Sequence, residues 1–538
     1  MHRCLPALVC CLITTLSATE LPAWKQALQP PDDRWRQTEQ HFRFNNSAEP
    51  QTLDPQIMTG VPEGNIAEAL FEGLTSLHPE TLEPKPGIAA SWRISPDGLR
   101  YTFTLREGLT WSDGTPLHAQ DVIASWRRAL TPATGCKYAN MLYPIAGARI
   151  FHRDPAADDA AWSRVGLAAP DPLILEVELE TPCAYFLSLT AFHTLFPVPL
   201  HAIREHGDRW TRPEHIVCNG PFQLEEWKPR QHIELRANPR YWDAGFVKLE
   251  RITVFPYDDL DTACKLFEQG EIDWMNAVPL DRLDSLKRDP DYYVAPYLGV
   301  YYIRVNVTEP PLSDIRVRRA LAWAVNRQVI TKDILRAGEI PLAWFCPRDT
   351  AGYHPALQMP YDRDAARTQL AAAGYDQGAG FPRLELLYNK SERHQAIAEN
   401  LAQQWERALG ITVSPSNTEW KVYLDRLSSL DYQLARSGWI GDFVDPDTFF
   451  NIWRTGDGNN RTGWGDPAYD ALVRRAAAES DPARRLELFQ QMDRMLIEQV
   501  PGIPIYSYVT QGMLNERVFG FFHNLRDLHP LQYVYLED

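Results

Sequence analysis

The chain predicts an α/β fold with mixed sheets spread over two or three domains, and three observations carry that reading. Period-two and helix-like apolar patterns alternate along the chain, 538 residues are too many for one core, and 42 prolines punctuate the whole with turns. The first clear strand follows the turn Ser95-Pro96-Asp97-Gly98, where Leu99, Tyr101, Phe103 and Leu105 alternate. Leu173, Leu175, Val177 and Leu179 repeat the pattern, and shorter copies occur at Ile233-Leu235 and Ile252-Val254. Helices intervene. Ile397, Leu401, Trp405 and Leu409 recur every four residues before the stop at Gly410, and Phe489, Met492 and Leu496 line a helix opened by Asp481-Pro482. No internal repeat or Gly/Ser linker is present, so short strand-like crossovers are expected between domains.

Composition bounds the function. Apolar residues at 44% and charged residues at 23% are ordinary for a globular protein. A formal charge of −16 argues against nucleic acid, whose phosphates require a basic footprint. His2 and Arg3, the uncharged stretch Cys4 to Leu16 and the small residues Ser17 and Ala18 read as a signal peptide over 1–18. No later segment has the roughly 18 uncharged apolar residues of a membrane helix, so an exported protein without membrane insertion is expected. A lipid-modified Cys10 or Cys11 is the competing reading. Eight cysteines, three of them in the leader, leave Cys136, Cys183, Cys218, Cys264 and Cys346; an odd number leaves at least one thiol free. Their wide spacing does not suit zinc, and whether Cys183 pairs with Cys218 stays open.

Residues 435–449 are the most informative stretch. The run Tyr432, Leu434, Arg436 reads as a strand leaving the core. Gly438 and Gly441 permit close backbone approach, Asp442 follows, and Asp445-Pro446 reads as a helix cap with proline at the first helical position. A cation and a carboxylate six residues apart can hold the two ends of a small zwitterion; they can equally pair with each other across a turn.

Catalytic signatures are missing. There is no Gly-x-Ser-x-Gly elbow, His-Glu-x-x-His pair, phosphate loop or dinucleotide fingerprint. Asp442, Asp445 and Asp447 could supply a glycosidase pair, but Asp445 is better read as a cap and Asp447 as first-turn charge. No enzyme, cofactor or metal is expected.

Several ordered motifs carry a family resemblance. Pro86 to Trp92, Tyr101 to Arg106, Trp111 to Pro116, Asp121 to Leu130, Asn219 to Phe222 and Gly270 to Trp274 resemble the large substrate-binding proteins of peptide ABC importers. Gly60 to Ile66, Asn238 to Trp242, Tyr297 to Tyr302, Glu419 to Leu424 and Ala435 to Trp439 are similar to the oligopeptide and murein-tripeptide branch. The likeness runs from about residue 40 to the C-terminus.

This resemblance implies a two-lobed, three-domain periplasmic binding protein fold with a strand-crossover hinge. Domain I would comprise 19–71, 195–298 and 510–538, with domain II inserted as 72–194 and domain III as 299–509. The hinge would lie near Leu298-Gly299 and Val509-Thr510. It implies a monomeric periplasmic receptor that closes on a short peptide and delivers it to an inner-membrane ABC permease; a peptide-sensing or chaperone-like role without transport is the alternative. Asp442 would take the peptide's α-ammonium, while Arg436 and His394 would be cations for a tripeptide's carboxylate. Trp439, Trp420, Tyr138 and Tyr508 would form aromatic walls, and the backbones of Val61, Gly438 and Ile440 would pair with the peptide like strands.

The chain also departs from that family. Ala322 stands where many oligopeptide binders have a lysine, which removes support for a second, more distant carboxylate site. Arg304 replaces an acidic residue and is expected to favour an acidic ligand group. Gly299 and Ile440 replace a cysteine pair.

Overall fold

A computed structural model describes residues 22–279, 281–418, 420–479 and 481–538, the side chains of Glu392, Trp420 and Lys421 excepted. The expected signal segment 1–18, with Cys4, Cys10 and Cys11, lies outside the described residues.

The predicted mixed α/β architecture is observed. An eleven-stranded sheet runs in the order Val413–Thr418, Leu384–Asn389, Leu434–Ile440, Tyr292–Val305, Gly502–Leu514, Trp274–Met275, His41–Asn45, Arg251–Phe255, His232–Ala237, Phe222–Lys228, with Ile340–Pro341 attached to Gly502–Leu514. Its pairings are both parallel and antiparallel. A separate antiparallel sheet holds Ala89–Ile94, Arg100–Leu105, Ile174–Glu178 and Leu167–Asp171.

The apolar periods map onto these elements. Tyr101, Phe103 and Leu105 point inward from one strand, and Leu175 and Val177 from its partner. In the helix Glu392–Leu409, Ile397, Leu401, Trp405 and Leu409 are buried, and Gly410 ends it in the left-handed region at φ 72°. Asp481 caps the helix Pro482–Gln499 by accepting from the Arg484 N–H, and Phe489, Met492 and Leu496 face the core.

Three large cores form. One joins buried residues from Leu298 to Tyr506. A second gathers residues from Leu74 to Leu195 and adds a single outsider, Phe443. The third draws on 42–71, 196–274 and 518–536.

Two long strands, Tyr292–Val305 and Gly502–Leu514, are the backbone shared between the first core and the remainder. They pair antiparallel from Tyr292 opposite Met513 to Pro296 opposite Val509, and again from Val300 opposite Ser507. Between these stretches the register shifts, so the ladder is interrupted at Tyr297, Leu298 and Gly299. A ladder broken at this point bends more easily than the paired strands on either side.

Two local expectations are corrected. Asp445 is not simply a helix cap: its carboxylate forms a buried two-point ion pair with Arg485 at 2.5 and 2.8 Å, while Oδ1 also accepts from the Asp447 N–H at 2.9 Å. The helix there spans only Asp447–Phe450 with Pro446 at its N-cap rather than at the first helical position, while Asp447 is the expected first-turn acid and is buried. Among the described residues all five cysteines are buried and free, with Cys183 in the second core and Cys218 in the third, so these two are not joined.

Candidate functional site

The strand Leu434–Ile440 is held in register against Tyr292–Val305, with Gly299 opposite Ile440, Tyr301 opposite Gly438, Ile303 opposite Arg436 and Arg304 opposite Ala435. Because side chains alternate, Arg436, Gly438 and Ile440 share a face with Tyr301 and Ile303. Ser437 and Trp439 share the other with Tyr302 and Arg304. On its far side this strand meets Leu384–Asn389 only at Leu434 and Ala435. Beyond Ala435 no described strand pairs with that edge.

On the first face sits a cationic pocket with spare bonding capacity. Arg436 donates to Asn389 Oδ1 at 3.2 Å and to the Tyr508 hydroxyl at 3.3 Å, and its guanidinium lies 5.2 Å from the Tyr301 ring centre. Among the described residues its buried Nε has no partner. Tyr301 stacks on Tyr506 at 4.8 Å, and Tyr506 meets Tyr508 edge-on at 5.2 Å. Gly438 leaves room for this arrangement, since a Cβ there would lie 2.7 Å from the Tyr508 hydroxyl.

His394 joins the pocket from the first turn of the helix Glu392–Leu409, where the Ser391 hydroxyl accepts from its backbone N–H. Its ring is 5.7 Å from Tyr301, and its buried Nδ1 has no partner among the described residues. Burial, then the positive fields of Arg436 and Arg393, pull its pKa down to about 3. The expectation of a second cation is therefore corrected: His394 is a neutral imidazole here.

Arg304 is also corrected. It is 4% exposed and sits on the opposite face from Arg436. Nε donates to Ser437 Oγ at 3.0 Å, and Nη1 to the carbonyls of Asn459 at 2.7 Å and Asn460 at 2.5 Å. These internal acceptors bind the charge that was expected to meet an acidic ligand.

At the other end of the strand the Gly441 N–H donates to the Leu298 carbonyl at 2.7 Å, and the Asp442 N–H to Thr448 Oγ1 at 3.4 Å. The Asp442 carboxyl takes part in no hydrogen bond or ion pair among the described residues. Burial pushes its pKa up to about 6, against the opposing positive field of Arg526. Tyr138 faces it from the second core: burial, and then the Asp442 charge, raise that phenol's pKa. Tyr138 packs edge-on against Phe192 at 5.4 Å and His193 at 5.8 Å. Trp439 donates its indole N–H to Thr448 Oγ1 at 3.2 Å.

Trp439, Asp442 and Phe443 open onto a cavity of about 700 Å³, whose opposite wall is Asn140, Met141, Tyr143 and Tyr185. Phe443 stacks on Tyr185 at 3.9 Å with an 11° tilt, joining the first-core strand region to the second core.

Two remaining expectations read differently. Val61 opens the helix Val61–Leu70 and is 55% exposed; Pro62, fixed in φ, starts that helix, so Val61 offers a free first-turn N–H rather than a strand edge. Trp420 begins the helix Trp420–Ser428, and its side chain lies outside the described residues. Ala322 is fully buried in the largest core. Sequence reasoning missed Asn389, Tyr185, Phe443 and Arg526, none of which sits in a recognisable motif. Among the described residues no group of three or more His, Cys, Asp or Glu side chains is disposed to hold a metal ion, and no helix is long and apolar enough to cross a membrane.

With this geometry established, comparison with known proteins is informative. Residues 83–461 match the model of the bacterial extracellular solute-binding proteins, family 5, middle region. The chain is 34% identical over 493 residues to the oligopeptide-binding protein OppA of Bacillus subtilis, covering 89% of each chain. It is 36% identical over 511 residues to the probable deoxycholate-binding periplasmic protein YgiS of Escherichia coli, covering 93% of each. Among solved structures, the unliganded open form of the periplasmic murein tripeptide binding protein MppA superposes with a TM-score of 0.82 at 32% identity, covering 93% of this chain and 97% of that one.

Proposed function

The chain belongs to family 5 of the bacterial extracellular solute-binding proteins, and from that premise we propose that it captures short peptides in the periplasm and delivers them to an inner-membrane ABC permease. It is a substrate-binding protein by family, and peptides are its proposed cargo. The receptor acts as a monomer, with the 1–18 segment as its export signal. A three-domain division is part of this proposal, supported by the three separate cores, and the interrupted ladder at Tyr297–Gly299 is the proposed hinge.

One observation carries the peptide reading: an unpaired strand edge runs between two poles of opposite charge, each with bonding capacity to spare. Arg436 and Asp442 are six residues apart, at most about 20 Å of extended chain, and a three-residue extended peptide spans about 10 Å, leaving the two side chains to close the remainder. That separation suits a tripeptide lying against Gly438 and Ile440, its main chain completing the edge. Main-chain pairing gives affinity without reading side chains, so sequence tolerance follows. Arg436, Tyr508 and a neutral His394 donate to the carboxylate; Asp442 receives the ammonium.

A bile acid, suggested by the name of one relative, would supply an anion for Arg436 but nothing for Asp442. Calorimetry with Ala-Ala-Ala, its N-acetyl and C-amide forms, and deoxycholate separates these cases. Tight binding of free Ala-Ala-Ala, weakened by either cap, is the expected result. Binding of deoxycholate alone overturns the peptide reading. Sequencing of any ligand retained on gently purified protein, by native mass spectrometry, identifies the natural cargo.

A further inference from the structure

Asp442 has a neighbour that comes from the far end of the chain. The Leu298 N–H donates to the Leu525 carbonyl at 2.6 Å, and the Leu298 carbonyl accepts from the Gly441 N–H. The Leu298 backbone therefore bridges Leu525 and Gly441, and Arg526 and Asp442 are the residues that follow these two in the chain.

The loop carrying Arg526 is fixed. Asn524 donates to the carbonyls of Pro79 at 2.7 Å and Leu528 at 2.6 Å, and its Oδ1 accepts from the backbone N–H groups of Arg526 and Leu528. The guanidinium is not. It is half-buried, rests 5.6 Å from the Phe192 ring centre, and makes no hydrogen bond or ion pair among the described residues. Phe192 in turn packs against Tyr138, the aromatic wall facing Asp442. A partly desolvated arginine with all its side-chain donors unused is costly unless an anion arrives.

We propose that Arg526 is a second recognition group of this site, selecting peptides whose first residue carries a side-chain carboxylate beside the α-ammonium held by Asp442. The inference rests on the peptide reading above. In such a residue the ammonium and the side-chain carboxylate sit roughly 4–5 Å apart. Asp442 lies in the positive field of Arg526, yet the two form no ion pair among the described residues, so a residue carrying both charges can lie between them. Glu68 and Asp442 are the carboxyls whose charge Arg526 senses. Glu68 forms no ion pair with Arg526 among the described residues, and burial, with Glu72 adding to it, raises the Glu68 pKa to about 7. The preference for an acidic ligand, assigned from sequence to Arg304, moves to Arg526.

Calorimetry with Glu-Ala-Ala, Gln-Ala-Ala and Lys-Ala-Ala on the full chain and on Arg526→Lys and Arg526→Gln tests this, with melting curves to confirm folding. The wild type should bind Glu-Ala-Ala about tenfold more tightly than its neutral isostere Gln-Ala-Ala, as expected for one charge-assisted bond. Lys-Ala-Ala should be weakest. Arg526→Lys should keep the order, and Arg526→Gln should bring the Glu to Gln ratio to about one. Equal wild-type affinities, or a ratio that survives in Arg526→Gln, overturns the proposal. So does an equal loss for all three ligands in Arg526→Gln, which would make Arg526 only a partner that keeps Asp442 ionised. If no tripeptide binds the wild type, the peptide reading itself fails and this inference falls with it.

Discussion

Gly299 stands directly opposite Ile440 across two paired strands, and a Cβ added at Gly299 would lie 2.4 Å from Ile440 Cδ1 and 2.8 Å from the Tyr508 ring. The contact sits where the long ladder loses its register, so the glycine brings the site strand close to the hinge and leaves Tyr508 free to meet Arg436.

Gly299→Ala should therefore disturb both hinge and pocket. Overpacking a tight site costs about 1–3 kcal/mol, and the displaced Tyr508 withdraws one of Arg436's partners. The expected outcome is a lower unfolding midpoint together with weaker tripeptide binding, read by denaturant titration and calorimetry. An unchanged midpoint and affinity would show that Ile440 and Tyr508 yield without loss.

Arg436→Ala should weaken Ala-Ala-Ala binding by about 10- to 150-fold, the equivalent of a charged hydrogen bond worth roughly 1.5–3 kcal/mol. C-terminally amidated Ala-Ala-Ala should bind wild type poorly and lose little more in the variant. A variant that still distinguishes acid from amide as strongly as wild type would place the carboxylate elsewhere.

The regular elements were legible because burial imposes its own period: Tyr101, Phe103 and Leu105 alternate, and Ile397, Leu401 and Trp405 recur every helical turn. The reading failed where local pattern is ambiguous. A helix cap and a buried ion pair look alike at Asp445, since its partner Arg485 is forty residues away and nothing nearby announces it. Arg304 and Arg436 both lie on strands, and only the pairing register, with Ile303 opposite Arg436, puts them on opposite faces. The charge of His394 depends on how deeply a fold buries it beside Arg436. Leu525 and Gly441, the neighbours of Arg526 and Asp442, are joined through the Leu298 backbone, a tertiary contact that no spacing reveals.

The reassignment of Arg304 is checked by Arg304→Met. Its donors satisfy the buried Ser437 hydroxyl and Asn460 carbonyl, and the carbonyl of the exposed Asn459, so truncation should leave the two buried acceptors unmet at about 1–3 kcal/mol each. Thermal stability should fall clearly, while the ratio of Glu-Ala-Ala to Gln-Ala-Ala affinity stays at its wild-type value. Loss of that ratio with stability intact would return Arg304 to the binding site.

The last prediction follows from the protonation of Asp442. In the ligand-free protein its pKa is raised from 3.8 to about 6, chiefly by burial. A carboxyl raised on folding binds its proton more tightly in the folded state, so its ionisation weakens the fold as pH rises through about 6. Asp442→Asn removes that buried charge, and the ligand-free variant should melt no lower than wild type at pH 7.5. Binding has the opposite sign. The ligand's ammonium requires the ionised carboxylate, so affinity for Ala-Ala-Ala should be greatest near pH 7, decline progressively from about pH 6 downward, and fall again above about pH 8 as the peptide's own amino group loses its proton. The peptide's own carboxylate stays charged until far lower pH, and His394 is neutral in the ligand-free protein across this window; any proton it takes up beside the bound carboxylate would strengthen binding at low pH, the opposite sign to Asp442. Asp442→Asn should bind at least tenfold more weakly at pH 7.5 and lose the dependence between pH 7 and 5. Calorimetry at half-unit pH steps measures both; a variant that keeps the wild-type pH profile would mean that another group receives the ammonium.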